Sequence, residues 1–206
     1  MPSVDSGGAE IYYETAGEGD PLVMIMGLGA DSRGWAMQTN VFAERYQLVL
    51  IDNRGVGKSS VPPGPYTIKQ MAADTLAVMD DVGIERPHVL GVSLGGAIAQ
   101  ELALAAPERV RSLALGSTWA GPTDWRSRIR ATQLGILHSE GVEALVRFRM
   151  LFIFSPVLFQ TAPALMTVIE KTMAETALDG YLQQVDAAET HDARARLGEI
   201  TAPTLV

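Results

Sequence analysis

Short apolar runs separated by helical patterns dominate the first half of the chain. The runs, each bounded by Gly, Asp or Pro, lie at residues 22–26, 47–51, 88–92 and 110–115. Short continuous apolar runs are typical of strands that are buried on both faces, and strands that alternate with helices form parallel sheets. This alternation therefore favours an α/β fold, a mostly parallel sheet with helices on both faces.

Two stretches between the runs have the spacing of amphipathic helices. Apolar residues recur at helical intervals over residues 68–82 and 95–106, and Pro107 ends the second stretch. Near the N-terminus, "EIYYETAGEGDP" alternates polar and apolar residues and ends in a Gly-rich turn. That pattern predicts an antiparallel edge strand or hairpin.

The second half of the chain has a different character. From about residue 119 to 198, strand-like runs give way to helical stretches rich in Leu, Met and Phe, such as "ALVRFRMLFIF", before "ITAPTLV" resumes a strand pattern. We therefore predict a core over residues 1–118, a helical cap over 119–198 that is inserted after a strand, and the start of the next core strand at 199–206.

One serine lies between glycines where a strand pattern meets a helical one, in "HVLGVSLGGAIAQ". Gly91, Ser93 and Gly95 fit G-x-S-x-G, the pattern of a nucleophile held on a sharp strand-to-helix turn. Such a turn strains the serine backbone, so the flanking positions need residues without side chains. These features predict that Ser93 is a nucleophile with a positive φ. The alternative is a glycine turn that carries a solvent-exposed serine.

Several separated stretches resemble the α/β-hydrolase superfamily. They are "GDPLVMIMGLGADSRGW", "YQLVLIDNRGVGKSS", "HVLGVSLGGAIAQELALAAPERVRSLALGST" and "RLGEITAPTLV". Within the superfamily, the chain is similar to the small capped carboxylesterases and the 3-oxoadipate enol-lactonases. The resemblance implies an α/β-hydrolase fold with an inserted helical cap. It also implies that the final strands and helices of the fold are missing from this chain.

The resemblance also implies a role for individual residues. Ser93 would be the nucleophile, and the backbone N–H groups of Leu94 and Leu28 would form the oxyanion hole. The family usually has His-Gly before the second donor, whereas this chain has Met26 and Gly27. Because the hole is built from main-chain groups, we expect this departure to matter little.

A serine nucleophile needs a histidine base and an acid that orients it. In this fold the order along the chain is serine, acid, histidine, and only His138 and His191 follow Ser93. Both lie in helical, mostly polar stretches, where a surface or capping role is the ordinary one. In the resembling family the acid follows a strand like "APTLV" and the histidine comes later. We therefore expect both beyond Val206, with no histidine of this chain within reach of Ser93.

The stretch "DNRGVGKSS" resembles the end of a phosphate-binding loop but lacks its first glycine, because Asp52 occupies that position. "GLGADSRG" likewise fails the dinucleotide-binding pattern at Ser32. In the resembling family, Asp52, Arg54 and Gly55 form a structural turn after a strand. The chain therefore has no nucleotide-binding motif that meets its pattern.

Charge and composition exclude several other classes. A net charge of −8 repels phosphate backbones and anionic membranes, so we expect neither nucleic acid nor a membrane as partner. The apolar runs are too short to span a bilayer and the N-terminus has no signal-peptide pattern, so we predict a cytoplasmic protein. The chain has no cysteine, and its three histidines do not have metal-ligand spacing. We therefore expect no metal and no cofactor.

Aromatic residues of the predicted cap are candidates to contact the substrate. Trp119 and Phe152 would line an apolar pocket above Ser93, although such residues more often form the core of the cap itself. We predict that a small-molecule carboxylic ester or lactone is cleaved through an acyl-enzyme at Ser93. The alternatives are a noncatalytic binding protein or inactive fragment with this fold, and haloperoxidase or perhydrolase side activity.

Overall fold

A computed structural model describes residues 2–206, which form two compact units. One unit runs from the start of the described chain to Gly121 and resumes at Asp179–Val206, and the other spans Pro122–Leu178. The predicted boundaries at 119 and 198 enclose the second unit.

The first unit contains a seven-stranded sheet. Its strands are β1 (Ser3–Ser6), β2 (Ala9–Ala16), β3 (Asp20–Ile25), β4 (Tyr46–Ile51), β5 (His88–Val92), β6 (Ser112–Gly116) and β7 (Thr204–Leu205). The spatial order is β1-β2-β4-β3-β5-β6-β7. Strands β1 and β2 pair antiparallel, as β2 does with β4, whereas the remaining neighbours are parallel. The predicted mostly parallel sheet with an antiparallel edge is confirmed.

Both faces of this sheet are buried, which explains why its strands read as continuous apolar runs. In β3, Leu22 and Met24 join one apolar cluster while Val23 and Ile25 join another. Side chains alternate between the faces of a strand, so the two clusters lie on opposite sides of the sheet.

Four α-helices belong wholly or mainly to this unit. They are α1 (Ala36–Phe42), α2 (Ile68–Val82), α3 (Leu94–Ala105) and, beginning at the last residue of the other unit, α8 (Leu178–Thr190). Helix α2 has the predicted bounds because the Thr67 hydroxyl caps its first turn and Gly83 ends it with a φ of 76°. Helix α3 begins one residue earlier than predicted. In α8, Ala187 and Ala188 belong to the larger apolar cluster of the sheet.

The second unit is entirely helical. It contains α4 (Asp124–Glu140), α5 (Val142–Ile153), α6 (Pro156–Thr161) and α7 (Pro163–Ala174). Its core consists of Val146, Met150 and Met166, against which Phe154 and Phe159 pack. Several of the aromatic and sulfur-containing side chains that make this segment apolar therefore serve its own packing. None of the helices within residues 2–206 combines the length and apolarity that crossing a lipid bilayer requires.

Candidate active site

Ser93 lies at the junction between β5 and α3 with a φ of 56° and a ψ of −117°. The predicted positive φ is confirmed, and it places this non-glycine residue in a sparsely populated backbone region. Ser93 is the N-cap residue of α3, but its side chain makes no capping hydrogen bond. The hydroxyl is therefore not used to stabilise the helix start.

The two flanking glycines are required by close backbone contacts. A Cβ atom at Gly91 would collide with the carbonyl oxygen of Gly95, and one at Gly95 would collide with that of Ile25 in the neighbouring strand. Gly96 has a similar constraint, because its Cβ would lie 2.5 Å from the Cβ of Thr118. Because these glycines have no side chains, the start of α3 lies directly against the sheet.

Gly116, the last residue of β6, and Thr118, which follows it, both form hydrogen bonds with the backbone of Ser93. The N–H of Ser93 donates to the carbonyl oxygen of Gly116 at 2.8 Å, and the Thr118 hydroxyl donates to the carbonyl oxygen of Ser93 at 2.7 Å. Ser117, between these partners, has a φ of 48°. Ser93 and Ser117 are the non-glycine residues with positive φ in residues 2–206, and they follow neighbouring strands. Thr118 was not predicted from the sequence.

The loop after β3 passes beside the serine because β3 and β5 are neighbours in the sheet. A Cβ atom at Gly27 would lie 3.1 Å from the Cβ of Ser93 and 3.6 Å from its Oγ. The N–H of Ala30 donates to the carbonyl oxygen of Gly27 at 3.1 Å, and Gly29 has a φ of 68°. These are the marks of a type II turn with Leu28 and Gly29 at its centre.

Each predicted oxyanion-hole residue is next along the chain to Ser93 itself or to Gly27, which lies beside the serine. Leu28 is the residue after Gly27 in the turn, and Leu94 is the first residue of α3. The N–H groups in the first turn of a helix have no acceptor within the helix, and the helix dipole favours negative charge there. An anion beside Ser93 would lie in this electrostatically favourable position.

Two buried amide side chains hold the turn after β3. Asn53 donates through Nδ2 to the carbonyl oxygen of Met26 at 3.1 Å. Gln184 accepts a 2.9 Å hydrogen bond from the N–H of Gly29 and donates through Nε2 to the carbonyl oxygen of Arg54 at 2.8 Å. No local sequence pattern marks either residue, because their partners are backbone groups far away along the chain.

The segment after β4 forms a buried polar turn. Asp52 accepts hydrogen bonds from the N–H groups of Ser32 and Lys58 at 2.7 and 2.8 Å. Burial raises the pKa of Asp52, and these two backbone hydrogen bonds oppose that shift. Arg54 forms a bidentate ion pair with Asp74 at 2.6 and 2.5 Å, and both side chains are almost fully buried. These contacts connect the segment after β4 with the loop of Ser32 and with helix α2, all within one unit.

The two histidines of this unit have other partners. His88 begins β5, about 16 Å along the strand from Ser93 at 3.3 Å per residue, and its Nδ1 lies 2.7 Å from the Ser112 hydroxyl. His191 lies 3.4 Å from Glu101, which is about 12 Å along α3 from Ser93 at 1.5 Å per residue. Both imidazoles are therefore remote from the serine. His138 is in the last turn of α4, in the helical unit.

The predicted substrate-binding residues lie in different units. Trp119 follows Thr118 and packs against the main core, and its carbonyl oxygen accepts a 3.0 Å hydrogen bond from Gln100. Phe152 is on α5, where its ring lies 5.1 Å from that of Phe148 and 59% of the residue is exposed. Within residues 2–206, no group of three or more His, Asp or Glu side chains has an arrangement that could hold a metal ion.

A family model described as the alpha/beta hydrolase fold matches residues 20–138. The chain belongs to this family of hydrolases, as the sheet order and the serine turn indicate. The putative carbamate hydrolase RutD of Azorhizobium caulinodans is 36% identical over 208 residues, which span 100% of this chain and 78% of the relative. 3-Oxoadipate enol-lactonase 2 of Acinetobacter baylyi is 28% identical, spanning 95% of this chain and 73% of the relative.

Solved structures show the same fold. A hydrolase from Pseudomonas aeruginosa superimposes with a TM-score of 0.90 at 30% identity, covering 100% of this chain and 78% of that protein. The enol-lactonase from Burkholderia xenovorans LB400 superimposes with a TM-score of 0.92 at 28% identity, covering 100% of this chain and 80% of that protein. The predicted α/β-hydrolase fold and the similarity to enol-lactonases are confirmed.

Proposed function

We propose that this hydrolase cleaves a small carboxylic ester or lactone through an acyl-enzyme at Ser93. The observation that carries the proposal is the strained Ser93 turn, beside which the loop of Gly27 and the start of α3 converge. Backbone strain of this kind persists only where the surrounding structure enforces it, and it is concentrated at functional sites.

The chemistry follows from this arrangement. The Ser93 Oγ attacks the substrate carbonyl carbon while a general base takes its proton, and the carbonyl oxygen becomes an oxyanion. The N–H groups of Leu28 and Leu94 stabilise that oxyanion, whose charge develops only in the transition state. Expulsion of the alcohol leaves an acyl group on Ser93, and water then releases the acid.

Trp119, which packs against the same core as the serine turn, remains our candidate for contact with the acyl group. A second candidate substrate is a carbamate, because the relative at 36% identity carries that name. Esters, lactones and carbamates share a carbonyl carbon that a serine hydroxyl can attack, so one site serves each reaction.

Trapping of the acyl group tests the proposal. The protein is incubated with a p-nitrophenyl ester, an enol lactone and a p-nitrophenyl carbamate, and the adduct is located by peptide mass spectrometry. We expect an acyl group on Ser93 that is absent from Ser93→Ala. Ser139→Ala is the matched control, because its hydroxyl bonds only the helix carbonyl of Gly135. Equal acylation of Ser93→Ala and the wild type would overturn the assignment and favour a binding protein.

A further inference from the structure

Gln184 is a buried residue of α8 that joins two loops at the candidate active site. Its relative exposure is 0%, and both polar atoms of its amide are used. The Oε1 atom accepts from the N–H of Gly29, and the Nε2 atom donates to the carbonyl oxygen of Arg54. Since a buried amide without partners is costly, these two bonds fix the orientation of the side chain.

The bond to Gly29 acts on the central peptide of the turn. Gly29 contributes its N–H to the peptide between Leu28 and Gly29, the central peptide of the turn. Types I and II of a β-turn differ mainly in a rotation of this peptide. An acceptor fixed beside the Gly29 N–H therefore favours one orientation, and it limits the rotation of the adjoining peptide that carries the N–H of Leu28.

Helix α8 is itself held firmly against the Arg54 loop. A Cβ atom at Gly180 would collide with the carbonyl oxygen of Gly55, so the two backbones are in direct contact. Tyr181 and Val185, on either side of Gln184, are also buried. Gln184 therefore projects from a rigid support rather than from a flexible loop.

We propose that Gln184 is a positioning residue, which holds the turn so that the N–H of Leu28 faces the oxyanion. This role rests on the proposed function of Ser93. Gln184 acts through Gly29 on the donor and does not touch the substrate. Its loss affects the transition state more than substrate binding, because the oxyanion is absent from the ground state.

Gln184→Leu, which has a similar size but no amide, tests the proposal. Gln183→Leu is the matched control on the same helix, because the Gln183 amide faces Gly64. The rate constant of Ser93 acylation and the half-saturation concentration are measured with a p-nitrophenyl ester. We expect Gln184→Leu to lower the rate constant about tenfold, less than the roughly 10²–10³-fold loss of a whole donor, with unchanged half-saturation and no such loss in Gln183→Leu.

A spectroscopic measurement separates positioning from stability. The carbonyl stretching frequency of a ¹³C-labelled acyl group on Ser93 falls when the oxyanion hole polarises it, so Gln184→Leu should raise that frequency. A folded Gln184→Leu protein with the wild-type rate and frequency would overturn the role of Gln184 while leaving Ser93 intact. An acyl group that is not on Ser93 would instead contradict the proposed function.

Hydrogen exchange on the unmodified protein provides a test that does not require the variant to fold. Slow exchange of the Gly29 amide, comparable with that of the sheet amides, is expected if Gln184 holds the turn. Exchange at the rate of an open surface loop would overturn the proposal.

Discussion

The hydroxyl of Thr118 donates a 2.7 Å hydrogen bond to the carbonyl oxygen of Ser93, across 25 positions of the chain. The same carbonyl oxygen accepts from the N–H groups of Gly96 and Ala97. One side chain after β6 therefore supports the start of α3 and the strained serine together.

Thr118→Val keeps the shape of this side chain and removes the hydrogen bond. We expect a loss of about 1 kcal/mol in the free energy of unfolding, because the carbonyl oxygen keeps its other donors. Acylation of Ser93 should also slow, since the turn is less constrained. Urea unfolding and the acylation rate measure the two effects. Thr118→Ser keeps the hydroxyl, so equal losses in both variants would show that the hydrogen bond is unimportant.

Two glycine-to-alanine substitutions within helices should have opposite effects. Gly95→Ala places a methyl group against the Ile25 carbonyl oxygen, and overpacking of this kind costs about 1–3 kcal/mol. Gly135→Ala, on α4, adds a methyl group with nothing within 4 Å, and it should stabilise by up to about 1 kcal/mol. Thermal unfolding of both variants measures the difference. A stable Gly95→Ala protein would contradict the close contact with β3.

The buried ion pair of Arg54 and Asp74 should contribute much more to the free energy of unfolding than an exposed pair does. Asp74→Asn leaves a buried guanidinium without its counter-charge, and breaking such a pair costs about 3–5 kcal/mol. Asp192→Asn is the control, because Asp192 and Arg194 form an equally short pair at the surface, where pairs contribute little. Denaturant unfolding of the two variants at one pH measures both changes. Similar losses would contradict the burial of Arg54.

Tyr13 predicts a specific dependence of stability on pH. Its hydroxyl donates to Asp81 at 2.5 Å, and this hydrogen bond, together with burial, raises the pKa of Tyr13 from 10.0 to about 12. The unfolded chain therefore loses the phenolic proton first as pH rises. The contribution of Tyr13 is fully present below about pH 10 and disappears as the pH rises towards 12.

This pH dependence is measured against Tyr13→Phe, which cannot ionise. The difference in unfolding free energy between wild type and variant should be constant from pH 8 to 9.5 and should shrink at higher pH. Asp81→Asn, which removes the charged acceptor, should weaken the trend. A difference that grows with pH would contradict the raised pKa of Tyr13 in the folded protein.

The positions of His88 and His191 predict that a free base can assist Ser93. A serine nucleophile with no histidine base in reach retains only roughly 10³–10⁴-fold acceleration over water. Because His88 and His191 contact Ser112 and Glu101 instead, we expect slow ester turnover when no base is added. Added imidazole should raise the difference in rate between wild type and Ser93→Ala as its concentration increases. An imidazole-independent difference with fast turnover would show that a base already reaches Ser93 in this chain.

The parts of the site that the sequence predicts are those specified over a few residues. The four apolar runs coincide with strands β3, β4, β5 and β6. Gly91 and Gly95 mark the turn at Ser93 because the surrounding backbone leaves no room for a Cβ atom at either glycine. Both patterns depend on residues close together in the sequence and on the size of their side chains, so the residue types alone are enough to predict them.

The residues that hold the site in place contact groups far away along the chain, and no local sequence pattern identifies them. Gln184 bonds a backbone amide 155 positions away, and Thr118 and Asn53 likewise bond backbone groups rather than complementary side chains. Any residue can supply a backbone partner, so no spacing rule identifies the pair. Only the three-dimensional arrangement of the strands brings these groups together.

Separation along the chain also bears on the time at which the site forms during folding. Ser93 depends on β6 and lies beside the loop after β3, while that loop depends on a residue of α8. Helices form in about a microsecond or less, whereas contacts between distant segments form later because closing long loops is entropically costly. Reactivity of Ser93 should therefore appear only after most of the helical signal in a refolding experiment, as a late marker of correct strand pairing.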